Sequence, residues 1–312
     1  MVVKMEKLRG KTAFITGGAS GLGLSIAKAA AEAGMKIVLA DLRKSVLDEA
    51  LEWFKDNDRE AIGIELNVTD REAFEKAAEE AVSKFGNIHL LCNNAGIGCT
   101  RGALWEVSPA DTDIALDVNL RSVLNGIQAI VPGMLKHGEG GHIVNTSSKN
   151  GLLPPASLGL YNLTKGAVVS LTETLAADLP EGYGASVFCP GPFKTNLGNT
   201  TREISAMLKD EPLTPAPQSP MQEWLNNTEL DFDPEEAFSR EMPAEIAGRL
   251  VIRGIRRGDL YIITHPEFYE GVKARYDAVL RAFPKDKPSE AFKKVFAFLT
   301  YNPVFAKQRE YM

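Results

Sequence analysis

Two side chains that together can move a proton stand in Tyr161-Asn162-Leu163-Thr164-Lys165, a phenol and an ammonium four residues apart. On a helix that spacing puts both on one face. A free tyrosine has a pKa of about 10, too high for a base near neutral pH, and a nearby positive charge lowers it. A phenol tuned in this way can take the proton of an alcohol while the carbon beneath is oxidised. Tyrosine and lysine at this spacing recur by chance in many chains, so their meaning depends on what surrounds them. Just upstream, Thr146-Ser147-Ser148 closes a short apolar run.

A second cluster lies near the start, in Thr16-Gly17-Gly18-Ala19-Ser20-Gly21-Leu22-Gly23. It follows a predicted strand and opens a predicted helix. Glycines there let the backbone approach a pyrophosphate, and the helix start offers free N–H groups and the positive end of its dipole. Asp41 ends the next predicted strand. A carboxylate at that place accepts from ribose hydroxyls and repels a 2′-phosphate, which argues for NAD over NADP. Arg43, two residues on, could receive that phosphate instead.

The elements that must position these groups alternate. Short apolar runs at Thr12–Thr16, Lys36–Ala40, Ala61–Glu65, Ile88–Cys92, His142–Thr146 and Ala185–Cys189 read as buried strands. Amphipathic stretches such as Leu22–Ala33, Arg71–Phe85 and Asp113–Lys136 read as helices, with Asp70 and Gly34 as an N-cap and a C-cap. Strands alternating with helices imply an α/β fold, a Rossmann-type doubly wound parallel sheet of about seven strands. Beyond Gly191 a short helix is expected at Arg202–Lys209, followed by Pro212, Pro215, Pro217 and Pro220 and an acidic patch from Glu229 to Glu236. Pro243 can start a helix to about Arg257, and Leu260–Ile263 reads as the last strand. We expect one domain over 1–263, with 196–242 inserted as a substrate lid. An aromatic helical extension over 264–312 should pack on the body or on a neighbouring subunit.

The bulk properties exclude several classes. With 312 residues and 44% hydrophobic side chains, the chain can bury a core without metals or disulfides. A net charge of −6 disfavours nucleic acid or an anionic membrane as partner. Cys92, Cys99 and Cys189 fit neither a CxxC nor a zinc pattern, and no HExxH occurs, so no metal is expected. A charged start and the lack of a long apolar run point to a cytoplasmic protein without a membrane span.

The glycine spacing, together with Asn93-Asn94-Ala95-Gly96 after the fourth predicted strand, resembles the short-chain dehydrogenase/reductase family over residues 8–195 and again over 243–263. The resemblance implies a cofactor site of Gly17, Ser20, Gly21, Leu22, Gly23, Asp41, Asn67, Val68, Asn94, Ala95 and Gly96. It continues through Tyr161, Lys165, Pro190, Gly191, Phe193 and Thr195. Asn67 departs from the family's aspartate, yet its amide oxygen can still accept from adenine. Pro192 and Lys194 vary the nicotinamide loop without removing the Phe193 N–H or the Thr195 hydroxyl. The resemblance also implies four catalytic positions: Asn119, Ser148, Tyr161 and Lys165. Ser148 stands at the family's thirteen-residue distance from Tyr161, with Ser147 as its rival. Asn119 would help hold a water that connects Lys165 to solvent, and Lys165 and the NAD⁺ ring would both lower the phenol's pKa.

The insertion and tail resemble, more weakly, the branch that includes bacterial Cα-dehydrogenases of lignin-type aryl ethers. The segments Gly98–Trp105, Leu152–Leu160 and Asn196–Met242 should surround the substrate. Their apolar residues Leu152, Leu153, Pro154, Pro155 and Leu158, with Trp105, Met207, Trp224 and Phe232, suggest a bulky apolar or aromatic secondary alcohol rather than a polyol. Hydroxysteroid dehydrogenation is the rival substrate reading, and a non-catalytic NAD sensor or scaffold the rival of another class. The resemblance also implies a homodimer or homotetramer paired through Asp113–Lys136 and Leu160–Leu179.

Overall fold

Six apolar runs become strands within two residues of the expected bounds. They are β1 Thr12–Thr16, β2 Lys36–Asp41, β3 Ala61–Glu65, β4 Ile88–Asn93, β5 Gly141–Thr146 and β6 Tyr183–Cys189. A two-residue pair, β7 Phe193–Lys194 and β8 Met242–Pro243, lies apart from the main sheet, and β9 Tyr261–Ile263 completes it. The structure is a computed structural model that describes residues 5, 7–213 and 242–310. The expected wall residues Trp224 and Phe232, the proline-rich run from Pro215 to Pro220 and the acidic patch at 229–236 lie outside the described residues.

The sheet runs β3-β2-β1-β4-β5-β6-β9, all parallel. Its strands are apolar on both faces because helices cover both. In β1, Ala13 and Ile15 enter one core while Phe14 enters the other, as a two-residue period requires. The first core receives α1 Gly21–Glu32, α2 Lys44–Asp56 and the later helix Ala244–Arg257, through Ile26, Phe54 and Val251 among others. The second receives α3 Arg71–Phe85, α5 Ser122–His137 and α7 Gly159–Asp178 through Phe74, Ile130 and Ala176. Strand order reverses between β1 and β4, which opens a crevice at the strands' carboxyl ends.

The caps behave as expected: the Asp70 carboxylate accepts from the Ala73 N–H at 3.0 Å, and Gly34 takes a φ of +88° just past α1. The long helix expected over Asp113–Lys136 runs without a break from Pro109 to His137, as α4 Pro109–Leu116 and α5 joined by a π-helical turn at Asp117–Arg121. That wide turn buries Asn119, whose amide then pairs with both backbone groups of Ile97. Helix α6 is the single turn Lys149–Leu152. Helix α8 spans Leu197–Lys209, five residues longer at its start than expected.

Beyond α9 Ala244–Arg257 and β9, helix α10 Tyr269–Arg281 leads into short helices at Glu290–Val295 and Ala297–Thr300. Arg275 of α10 donates to the Gly151 and Leu152 carbonyls at 3.1 and 2.7 Å, while Tyr269, Tyr276, Phe283, Phe292, Tyr301 and Phe305 are exposed. Val304 returns to the core and is fully buried. No helix among the described residues is long and apolar enough to cross a membrane.

Candidate active site

A cleft of about 610 Å³ lies over the strand-order reversal. At its near end the backbone of Gly17 has φ +59° and that of Gly21 +52°, a region that favours glycine. Gly23 stands behind the wall rather than in it, because a side chain there would strike the Gly17 carbonyl at 2.0 Å. Ser20, Gly21 and Leu22 line the cleft where α1 begins.

Thr16, at the end of β1, fastens this loop to β4. Its hydroxyl accepts from the N–H of Asn94 (3.0 Å) and of Ala95 (3.1 Å). The Asn94 amide donates back to the Thr16 carbonyl at 3.2 Å, and its oxygen accepts from Thr146 at 3.3 Å. Deeper in the sheet, Asn93 donates to Asn145 at 2.9 Å, and Asn145 to Thr172 at 3.1 Å. Gly96 is closely packed: a methyl there would come within 3.2 Å of both the Asn119 oxygen and the Lys165 amine.

Asp41 ends β2 at the cleft's far corner and is 5% exposed. Arg43 folds back over it, with Nε 3.2 Å from Asp41 Oδ1 and Nη2 2.9 Å from Ser20 Oγ. The same guanidinium reaches Glu203 of α8 at 3.4 Å. Asn67 and Val68 line the wall beside it. The Asn67 oxygen already accepts from the Thr69 N–H (3.1 Å) and hydroxyl (2.9 Å), a local turn that holds the side chain still.

Ser148, Tyr161 and Lys165 line the other end. Ser148 ends the segment after β5 and caps α6, and Tyr161 and Lys165 share one face of α7. The Lys165 amine lies 5.6 Å from the Tyr161 ring centre and donates to the Thr146 carbonyl at 3.2 Å. Burial dominates both groups. It pushes the Tyr161 phenol up to about 12 against an opposing hydrogen bond with Ser148, and the Lys165 ammonium down to about 8. In the chain alone, therefore, the phenol is raised rather than lowered, because desolvation outweighs the Ser148 hydrogen bond. Ser147 is turned away: its hydroxyl is buried and donates to the Lys165 carbonyl at 2.7 Å. Asn119 is also behind the wall, where its amide oxygen accepts from the Ile97 N–H at 2.8 Å.

Pro190, Gly191, Phe193 and Thr195 line the cleft after β6, with the Gly191 N–H held by Thr264 at 3.0 Å. Of the expected apolar wall, Leu158 lines the cleft and several others do not. Leu152 points into the core with Val169 and Val187, Trp105 is 88% exposed on an outer turn, and Met207 is 53% exposed. Thr200, Ile204 and Leu208, one face of α8, line the cleft in their place, with Ile97, Cys99 and Arg101. No motif marks these residues, although the four-residue spacing at 200, 204 and 208 was a readable helical face.

His89, His137 and Glu139 meet at the foot of the sheet. Their ring nitrogens are taken: His89 by the Thr12 N–H and Glu139, His137 by the Ile88 carbonyl and the Glu139 N–H. The trio is a closed hydrogen-bond network.

The doubly wound sheet, the glycine-lined cradle and the tyrosine–lysine pair at one cleft define a dinucleotide-binding oxidoreductase architecture. The family model for short chain dehydrogenase matches residues 11–205, and the chain belongs to that family. It is an oxidoreductase family that binds a nicotinamide cofactor. The chain is 32% identical to a C alpha-dehydrogenase of Sphingobium over 95% of each chain. It is 35% identical to 3beta-hydroxysteroid dehydrogenase 2 of Eggerthella lenta over 64% of this chain and 76% of that one. Among solved structures, a short chain dehydrogenase/reductase from Burkholderia phymatum in complex with NAD superimposes with a TM-score of 0.79 at 34% identity. That match covers 91% of this chain and 100% of that one.

Proposed function

We propose that the chain is an NAD-dependent dehydrogenase that interconverts a bulky secondary alcohol and its ketone, with Tyr161 as acid and base. The observation that carries this reading is one cleft with Asp41 at one end and Ser148, Tyr161 and Lys165 at the other. The glycine cradle and the free N–H groups at the start of α1 fit a pyrophosphate, and Asp41 fits an unphosphorylated ribose. Asn67 and Val68 would flank adenine, and Asn94, Ala95 and Gly96 the ribose beside it. Pro190, Gly191, the Phe193 N–H and the Thr195 hydroxyl would fix the carboxamide. When bound, NAD⁺ supplies the hydride acceptor and a positive ring.

Ser148 holds the substrate oxygen by a hydrogen bond. Tyr161 takes the hydroxyl proton as hydride leaves the carbon, or returns it to the ketone. Lys165 stabilises the phenolate, and the positive charge that NAD⁺ would supply would help offset the burial that otherwise holds the phenol protonated. Asn119 fixes the loop after β4 and, through it, Gly96 against the Lys165 amine.

Leu158, Ile97, Ile204 and Leu208 favour an apolar or aromatic substrate body. The likeness to a C alpha-dehydrogenase favours an aryl alcohol, and that to a 3beta-hydroxysteroid dehydrogenase supports the steroid alternative. We assign 196–242 as a lid inserted in the 1–263 domain and 264–312 as an extension that packs on a neighbouring subunit of a cytoplasmic homodimer or homotetramer. Assay with NAD⁺ or NADP⁺ against aryl, steroid and aliphatic secondary alcohols tests the whole. Turnover with NAD⁺ and one bulky class is expected. Turnover mainly with NADP⁺ refutes the cofactor assignment, and cofactor binding without turnover of any class favours a sensor.

A further inference from the structure

The cleft is unevenly charged. Among the described residues that line it, the one carboxylate is Asp41, at the end we assign to adenosine, with Arg43 folded over it. The catalytic end carries Lys165, Lys149 and Arg101 and no acid. Lys165 is buried and donates to the Thr146 carbonyl.

Lys149 is placed differently. It follows Ser148 directly, and its backbone N–H donates to the Pro190 carbonyl at 2.9 Å. That bond joins the serine segment to the loop that carries Gly191. The ammonium lies over the Phe268 ring, 5.3 Å from its centre. Phe268 crowds Gly191 so closely that a side chain there would meet the ring at 2.7 Å. The charge therefore lies over the ring that backs Gly191, on a residue that lines the cleft beside Ser148. Among the described residues the ring face is its sole partner, and no carboxylate or carbonyl accepts from it. Partial burial holds the amine below the ordinary lysine value. A half-buried ammonium without a counter-ion, in a cleft, is a charge that a ligand can complete.

We propose that Lys149 anchors a carboxylate on the substrate, so that the preferred substrate is an amphipathic secondary alcohol or keto acid. Arg101, on the loop after β4, is a second and more exposed cation at the same end. This inference rests on the dehydrogenase reading and narrows it. The anion is held equally before and during hydride transfer, so Lys149 acts on KM and leaves the chemical step alone.

The test uses matched pairs with NAD⁺: 4-(1-hydroxyethyl)benzoate and 9-hydroxydecanoate, each against its methyl ester. A charge-assisted hydrogen bond predicts an acid-over-ester ratio in kcat/KM of roughly tenfold or more for the better pair. In Lys149→Gln the ratio falls toward one through the KM of the acid, and Lys149→Arg retains most of it. A wild-type ratio at or below one for both pairs overturns the inference, as does a ratio that Lys149→Gln leaves intact. Turnover of the esters that Tyr161→Phe abolishes keeps the dehydrogenase reading standing in either case. If neither acids nor esters turn over, that reading fails instead, and thermal shift of the NAD-loaded protein reads the same ratio. Stabilisation by acid alone, abolished in Lys149→Gln, supports the anchor, and none overturns it.

Discussion

Asp41 and Arg43 compete for one corner of the cleft. The carboxylate is nearly buried and tied to the guanidinium, which is also held by Ser20 and Glu203. With three acceptors around it, Arg43 is not free to meet a 2′-phosphate, whereas Asp41 keeps lone pairs for ribose hydroxyls. Asp41→Ala should weaken NAD binding by about tenfold or more and release Arg43 toward NADP. Equilibrium titration of both reduced cofactors checks this, and an unchanged preference would move the selection elsewhere. At this scale the motif residues were readable, because glycine, aspartate, tyrosine and lysine at those spacings have few other uses together. Thr16 was readable as the first residue of the glycine motif, but its bonds to the N–H groups of Asn94 and Ala95 were not, because only the folded sheet brings β4 to its hydroxyl. The phenol's raised pKa was equally invisible, because burial is a property of the packed site.

Strands and the helices between them were legible because both periods are written in the apolar residues. The π-turn was not, as no residue type marks where a helix takes an extra residue into one turn. Two predictions belong to these elements. Gly23→Ala forces a methyl into the Gly17 carbonyl, so the cradle must open and NAD affinity should fall by about 10²-fold or more, read by titration. In β5, His142 is buried, with Nε2 at 2.7 Å from Ser186 and Nδ1 without a partner among the described residues. Protonation would bury an orphan donor, and its pKa is pushed down to about 4. Between that value and the unfolded value near 6.5, the unfolded chain binds the proton and the native chain does not. Stability from this group is thus complete above about 6.5 and declines as pH falls to about 4, by up to about 3 kcal/mol. Urea unfolding across that range should show the decline, and His142→Asn should flatten it.

The whole molecule presents more apolar surface than one chain needs. Val279 and Leu280 at the end of α10, and Phe283, Phe292, Val295, Leu299 and Tyr301 after it, are exposed. Short helices of this length are not stable alone in water, so the segment needs a surface to rest on. Light scattering should give two or four times the 33.9 kDa chain mass, and deletion of 282–312 should lower it. A single-chain mass would refute the assembly. The aromatic spacing of the tail signalled packing, yet spacing cannot say whose surface is packed against.

The central claim is that Tyr161 moves the proton. The most direct test compares wild type with Tyr161→Phe, measuring NADH formation with the best secondary alcohol and NAD binding by titration on the same samples. The account predicts a loss of roughly 10²-fold or more in kcat with NAD affinity retained. A variant that keeps its rate would show that the proton leaves by another group, and would contradict the account.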